Sequence, residues 1–240
     1  MNGLNCFLEG LQLIFKPGLW PYVIVPIIIN ALVLSAVIVW GISQYDAWSA
    51  GIAGLLPDWL AFMSGFLSFL AALLVFVAML YLFTIVANLI ASPFNAVLSV
   101  KVEERLTGRA PQGTTNLAVI LFRSLGRELA KLLYYLPRLV GLVIITFIPG
   151  INAAAPFLWV LFGAWMMTVQ YADYAADNNE VAFRDLKDRM GQVRSQAVMF
   201  GLPVYFALAI PLLNIVLMPA AVAGGTVFWV GHLMDRHTIR

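Results

Sequence analysis

Four long stretches of this sequence contain no Asp, Glu, Lys or Arg, and they constrain the fold more than any other feature. The longest has 42 residues, between Asp58 and Lys101. The others have 29, 34 and 40 residues and lie between Lys16 and Asp46, between Arg138 and Asp173, and between Arg194 and Asp235. A helix needs about 20 apolar residues to cross a hydrocarbon core about 30 Å thick. Each stretch exceeds that length.

Composition leads to the same class of protein. The chain is 62% hydrophobic and 11% charged, whereas soluble domains have about 45–50% and about 25%. Residues 66–91 also lack the polar face that a water-facing helix needs. We therefore predict an all-α integral membrane protein that forms one membrane domain over residues 1–240. The net charge of +2 is too small to indicate a nucleic-acid partner, and the N-terminus, without a basic region or cleavage site, is expected to be retained.

The distribution of Lys and Arg predicts the orientation. Residues 43–58 carry two Asp and no basic residue, whereas residues 101–138 carry seven Lys and Arg, and basic loops stay in the cytoplasm. Residues 43–58 are therefore expected outside, with about 20–42 and about 60–90 as two long transmembrane helices. The same rule places residues 101–138, residues 173–194 and both termini in the cytoplasm.

The last two uncharged stretches have basic residues on both sides, so each must leave the cytoplasm and return. In residues 139–172, Pro149-Gly150 and Pro156 leave helical arms of about 10 and about 16 residues. Those arms span about 15 and about 24 Å, less than the membrane core. We predict a partly inserted helical hairpin here and a second one over residues 195–234, where Pro203, Pro211 and Pro219 recur and a full crossing stays open.

Polar residues lie close to these turns and prolines. Asn152 and Asn214 lie near the hairpin tips, and Asn88 and Asn95 flank Pro93. Irregular backbone at membrane depth must be shielded by protein or line a watery cavity. We therefore hypothesise that the four asparagines line a permeation pathway.

An amphipathic helix is predicted over residues 115–138 of the cytoplasmic segment. One face holds four cations, Arg123, Arg127, Lys131 and Arg138. A basic face at the cytoplasmic surface is typical of contact with anionic lipid headgroups. Alternatively, these cations attract an anionic solute to the inner mouth of a pathway.

The sequence carries no pattern for catalysis. The motifs HExxH, GxSxG and GxxxxGK[ST] are absent, and the two histidines, His232 and His237, lie near the C-terminus. We predict that the chain is not an enzyme and holds neither a metal nor a cofactor.

Several segments carry a resemblance to a known family. They are Ala87-Asn-Leu-Ile-Ala-Ser-Pro-Phe-Asn95, Glu103 with Arg105-Leu-Thr-Gly108, Tyr135-Leu-Pro-Arg138, Ala164-Trp-Met-Met167 and Ile210-Pro-Leu-Leu-Asn214. In order and spacing, the chain from about residue 8 to about residue 232 resembles the CysZ sulfate-permease family of bacterial inner membranes.

The resemblance implies sulfate uptake across the inner membrane for cysteine synthesis, a branch of amino-acid biosynthesis. It also implies a homo-oligomer, and the selectivity between sulfate and sulfite or related oxyanions stays open. It places Glu103 and Arg105 in the polar interior near the permeation route. The alternative for these two residues is an ion pair that anchors a helix end.

One departure from the family concerns the expected sulfate site. The family usually has Arg after Pro-Gly-Leu/Ile, but here Pro17-Gly18-Leu19 is followed by Trp20-Pro21. An oxyanion could instead be held at the positive end of the first membrane helix by backbone N–H groups, those of Gly18, Leu19, Trp20 and Tyr22. A smaller departure, Asn179 for the usual His, is expected to affect a cytoplasmic loop.

The resulting hypothesis is a channel-like sulfate route lined by Asn88, Asn95, Asn152 and Asn214, with Arg105 as its main positive charge. A non-transporting membrane scaffold or assembly factor is the alternative from another class. An ion-coupled symporter is the other alternative, although no acidic residue is expected at mid-bilayer, where proton relays lie.

Overall fold

The computed structural model describes residues 1–55, 57, 62–111, 113, 117–208 and 211–234. Within these ranges the regular structure is helical and contains no strand. The α-helices are α1 (Gly3–Leu13), α2 (Trp20–Leu55), α3 (Ser64–Thr107), α4 (Leu117–Phe147), α5 (Ala155–Asn178), α6 (Phe183–Gln192), α7 (Arg194–Leu208) and α8 (Pro211–Phe228). A 3₁₀ turn (Asn152–Ala154) precedes α5, and a π-helical turn (Trp229–Leu233) follows α8.

Three of the described segments are long and apolar enough to cross a membrane, namely Trp20–Gly51, Gly126–Phe147 and Asn152–Asn178. Only 11 to 22% of their most apolar windows are buried inside the protein. Such segments leave their apolar side chains to meet lipid rather than a protein core. The prediction of an all-α membrane protein is thus confirmed.

The arms of the first hairpin are longer than the proline spacing predicted. The amphipathic segment and the first arm form one helix, α4, which continues through Pro137. Pro156 lies in the first turn of α5, where a missing N–H removes no helical hydrogen bond. The predicted arm lengths are therefore wrong, because α4 begins at Leu117, well before residue 139, and α5 continues to Asn178, beyond residue 172. The depth of insertion stays a prediction.

The chain divides into two compact units. The smaller unit, Ile24–Phe94, contains most of α2 and the first part of α3. Its large side chains are widely exposed, with Leu32 at 65% and Leu74 at 63% of their full accessibility, as expected for helices that lipid surrounds. An apolar cavity of about 480 Å³ lies between its two helices.

The larger unit, Met1–Val23 with Asn95–Arg240, contains the buried core. Its helix α1 packs directly on α8, since a Cβ built on Gly10 would lie 2.3 Å from the backbone nitrogen of Gly224. A hydrogen bond of 2.9 Å from the Gly3 N–H to Gln196 Oε1 also joins α1 to α7. The stacked rings of Phe200 and Phe228 lie at the centre of this packing.

Candidate functional site

A stripe of buried polar side chains runs along the end of α3. Asn95, Ser99 and Glu103 are spaced by four residues, so they share one face of the helix, and all three are buried. We call these three residues the α3 polar stripe. Asn95, from the predicted pathway, lies next to Tyr174 of α5, and the Ser99 hydroxyl lies 2.8 Å from that of Thr226 on α8.

Glu103 is the charged member of the α3 polar stripe and is only 2% exposed. Both of its carboxylate oxygens accept hydrogen bonds of 2.9 Å from Asn179 Nδ2. Burial raises the pKa of Glu103 to about 7, and the hydrogen bond from Asn179 opposes that rise. Because burial disfavours the ionised form, this carboxyl exchanges its proton near neutral pH.

Asn179 therefore does not belong to an independent loop. It caps the C-terminus of α5, where its Nδ2 also donates to the Ala175 carbonyl oxygen at 2.9 Å. This departure from the family was expected to affect a cytoplasmic loop more than transport, and the structure adds that the side chain reaches Glu103 on α3.

Arg105 points away from Glu103. Two residues along a helix correspond to a rotation of about 200°, and the two side chains have different partners. Arg105 Nη1 donates a 3.1 Å hydrogen bond to the Pro17 carbonyl oxygen, whereas Glu103 accepts from Asn179. The alternative in which the two residues pair with each other thus has no support among the described contacts.

The turn that Arg105 contacts, residues 17–20, is the predicted oxyanion site; we call it the Gly18 turn. Gly18 has φ = 91°, a left-handed conformation that favours glycine. The Leu19 N–H donates to Lys16 O, and the Tyr22 N–H donates to Leu19 O, both at 3.2 Å. Two of the four predicted donors are therefore used internally, and within the described chain the N–H groups of Gly18 and Trp20 show no acceptor.

The cations of α4 are largely neutralised by acidic residues of α5 and the turn that follows. Arg127 pairs with Asp173, Lys131 Nζ lies 3.2 Å from the other oxygen of Asp173, and Arg123 Nε lies 2.7 Å from Asp177. Arg127 and Lys131 are each 7% exposed. The structure places these two inside an ion cluster rather than at an open inner mouth.

The acidic half of this α4–α5 ion cluster was not predicted from the sequence. Asp173 and Asp177 lie on one face of α5, which extends to Asn178. Their four-residue spacing, which matches that of Arg123 and Arg127, was the signal that could have identified the pairing.

The remaining predicted residues are dispersed. Arg138 is exposed and stacks on the Tyr134 ring, with 3.6 Å between its guanidinium carbon and the ring centroid. Asn152 begins the 3₁₀ turn and is exposed. Asn88 lies on α3 and Asn214 on α8, and their side chains lie outside the described part of the structure. Among described residues, no group of three or more His, Cys, Asp or Glu could hold a metal ion.

Comparison with known proteins identifies the family. The family model described as "Sulfate transporter CysZ/Etoposide-induced protein 2.4" matches residues 6–219. A sulfate transporter CysZ of Pseudomonas paraeruginosa is 43% identical over 243 residues, covering 100% of this chain and 99% of that protein. Proteins of the same name from Pseudomonas fluorescens and Pseudomonas syringae pv. tomato are 45% and 42% identical over 233 residues, 96% of this chain and 94% and 92% of theirs.

These relatives are named as transporters and not as enzymes, in agreement with the prediction that the chain is not an enzyme. The match extends over the α3 polar stripe, the Gly18 turn and the α4–α5 ion cluster. The chain therefore belongs to the sulfate transporter CysZ/etoposide-induced protein 2.4 family.

Proposed function

We propose that this protein transports sulfate across the bacterial inner membrane for cysteine synthesis, by a channel-like route. The names of relatives at 42 to 45% identity support sulfate as the substrate. The structural observation that carries the proposal is the contact of Arg105 with the Gly18 turn. It brings a guanidinium to a turn that offers two backbone N–H donors.

This arrangement suits a divalent oxyanion. A guanidinium has five N–H donors, and the hydrogen bond to Pro17 uses one of them. Charge-assisted hydrogen bonds to an oxyanion are about twice as strong as neutral ones. The family usually has an arginine at the position of Trp20, and in this chain Arg105 supplies that positive charge from α3. The backbone N–H groups of Gly18 and Trp20 complete the site, and Leu19 and Tyr22 lie around it.

The route beyond this site is proposed to follow polar side chains. Asn95 and Glu103 of the α3 polar stripe, together with Asn88, Asn152 and Asn214, form the pathway, and Arg123 and Arg138 attract the anion at the cytoplasmic mouth. We further propose that the protein is a homo-oligomer with both termini in the cytoplasm. Residues 1–240 form one membrane domain with two partly inserted hairpins. Sulfite is proposed as a competing ligand.

The test is uptake of labelled sulfate by liposomes that contain the purified protein. Arg105→Ala should lower the rate at least tenfold, because a hydrogen bond to a charged group contributes about 1.5–3 kcal/mol. The matched control, Arg109→Ala, removes the same charge just beyond the end of α3 and should keep the wild-type rate. Wild-type vesicles that admit no more sulfate than empty ones would favour the scaffold hypothesis.

Glu103 favours an ion-coupled mechanism as a second candidate. It is buried, its pKa is raised to about 7, and no cation pairs with it among the described residues. A carboxyl of this kind can take up and release a proton during transport. If an inward proton gradient drives sulfate accumulation in wild-type vesicles but not in Glu103→Gln vesicles, the symporter replaces the channel.

A further inference from the structure

A second basic region lies apart from the Gly18 turn, in a cavity of about 950 Å³ formed by α4, α5, α6 and α7. Three cations line it, Arg138, Lys187 and Arg194, with one carboxylate, Asp188. Cavities of about 300–1,000 Å³ are typical of small-molecule sites. The cavity therefore has the size and the charge to hold an anionic molecule.

Another part of the cavity wall is apolar. Leu142 and Ile145 follow Arg138 on α4 by four and seven residues, or about 6 and about 10 Å along the helix axis. Leu161 and Phe162 of α5 line the cavity too. The part of the cavity near Arg138 is therefore basic, and the part farther towards the C-terminus of α4 is lined by aliphatic and aromatic side chains.

The three cations differ from those of the α4–α5 ion cluster because no carboxylate of the described residues forms an ion pair with them. Arg138 and Lys187 instead share the ring of Tyr134, at 3.6 and 4.9 Å from its centroid. Arg194 lines the same cavity, so positive charge is in excess there. A bound anion would offset this excess.

The Tyr134 hydroxyl adds a polar donor. It accepts a 2.9 Å hydrogen bond from Trp165 Nε1, so its own proton remains to be donated. A free inorganic anion would satisfy only this polar part and leave the apolar wall unfilled. A molecule with an anionic phosphate and a hydrocarbon chain complements both parts, and in a membrane protein such molecules surround the site.

We propose that this cavity binds one anionic phospholipid, with its phosphate held by Arg138, Lys187 and Arg194 and an acyl chain along Leu142, Ile145 and Phe162. Anionic lipid attracts nearby basic residues by about 1 kcal/mol each, which corresponds to a factor of about five in affinity per cation. Arg138 is shared with the proposed cytoplasmic mouth, but the test of lipid binding uses no transport assay, so the two proposals can fail separately.

The first experiment measures lipid binding to the delipidated full-length protein in detergent by native mass spectrometry. Phosphatidylglycerol should bind at a stoichiometry of one per chain and at least tenfold more tightly than phosphatidylcholine. Lys187→Gln and Arg138→Gln should each weaken phosphatidylglycerol binding about fivefold. The matched control, Arg184→Gln, changes the same charge on an exposed position of α6 that does not line the cavity, and should bind as the wild type does.

The second experiment fills the apolar part. A Cβ built on Gly141, which lines the cavity, meets no atom within 4 Å, and the same holds for Gly126 elsewhere on α4. Gly141→Leu should therefore fold and reduce phosphatidylglycerol binding at least fivefold, whereas Gly126→Leu should leave it unchanged. Both substitutions remove one glycine from α4, so an effect on the helix alone would appear in both.

Equal affinities of the wild type for the two lipids would overturn the proposal without recourse to any variant. Inorganic phosphate that binds as tightly as phosphatidylglycerol would also overturn it, because the site would then recognise a free oxyanion. Variants that keep their helix content by circular dichroism but bind like their controls would contradict the assigned residues.

Discussion

Arg105, near the end of α3, donates a 3.1 Å hydrogen bond to the carbonyl oxygen of Pro17, although 88 residues separate them in the chain. This contact places a cation at the turn where the family usually carries an arginine and this chain carries Trp20. The positive charge of the proposed sulfate site is thus supplied by a different helix. Substitutions at Arg105 and Trp20 can therefore test whether the positive charge must come from α3 or can come from the Gly18 turn itself.

The first prediction concerns Trp20→Arg. Trp20 is 52% exposed at the Gly18 turn, so an arginine there needs no space in the core. We expect sulfate to bind about tenfold more tightly, the factor for a charge-assisted hydrogen bond of about 1.5 kcal/mol. In the Arg105→Ala background the same substitution should restore binding, as measured by isothermal titration calorimetry. Binding that stays lost in the double variant would show that Arg105 acts from its own position only.

The second prediction concerns the pH dependence of stability. The pKa of Glu103 rises from 4.5 to about 7 on folding, so the folded state holds this proton more tightly than the unfolded state. The stabilisation is therefore complete below about pH 4.5 and is lost as the pH rises through about 7. Melting temperatures in detergent should fall over this range for the wild type and less for Glu103→Gln. Equal slopes for the two proteins would contradict the assignment.

The third prediction restores a residue that the family usually has. Asn179→His places an imidazole next to the Glu103 carboxylate, which Asn179 now contacts at 2.9 Å. An imidazolium favours the charged carboxylate and lowers the pKa of Glu103. The loss of stability with rising pH should therefore begin at lower pH. Adding Glu103→Gln to the variant should remove the shift, and a shift that persists would point to another titrating group.

The fourth prediction concerns the α4–α5 ion cluster. Asp173→Asn leaves Arg127 and Lys131, both 7% exposed, without their shared carboxylate. Removing one partner of a buried pair costs about 3–5 kcal/mol, so the melting temperature should fall by several degrees. Asp46→Asn, at an exposed position of α2, is the charge-matched control and should melt like the wild type. A drop of the same size in both would indicate a general charge effect.

The fifth prediction concerns the contact of α1 with α8. A Cβ at Gly10 would lie 2.3 Å from Gly224 N and 2.5 Å from Ala220 O, so Gly10→Ala should push the helices apart and destabilise the protein. Gly126→Ala meets open space and should stabilise by up to about 1 kcal/mol, the helix-propensity difference. Thermal unfolding followed by circular dichroism gives both values, and a stable Gly10→Ala protein would contradict the close contact.

The fold class could be predicted from the sequence because a helix surrounded by lipid excludes charged residues over its whole length, whatever its tertiary contacts are. The lengths of α4 and α5 could not, because both helices continue into charged segments on either side of the uncharged stretch 139–172. Pro156 lies at the start of α5, where it is compatible with the helix, and Pro137 lies inside α4 without ending it.

The candidate site was predictable only in part for a similar reason. The sequence indicated Glu103 and Arg105 through the family resemblance, but their partners Asn179 and Pro17 lie 76 and 88 residues away. Contacts of that separation leave no periodic pattern. The neutralisation of Arg127 likewise depends on a helix packed against it.

The contact between α1 and α8 has a consequence for biogenesis. The ribosome makes α1 before α8, yet the core of the larger unit is built from both. Until translation has passed Gly224, α1 lacks the α8 surface on which it packs. This unit can therefore close only after α8 has been made, and a chain truncated before α8 is expected to lack a stable core.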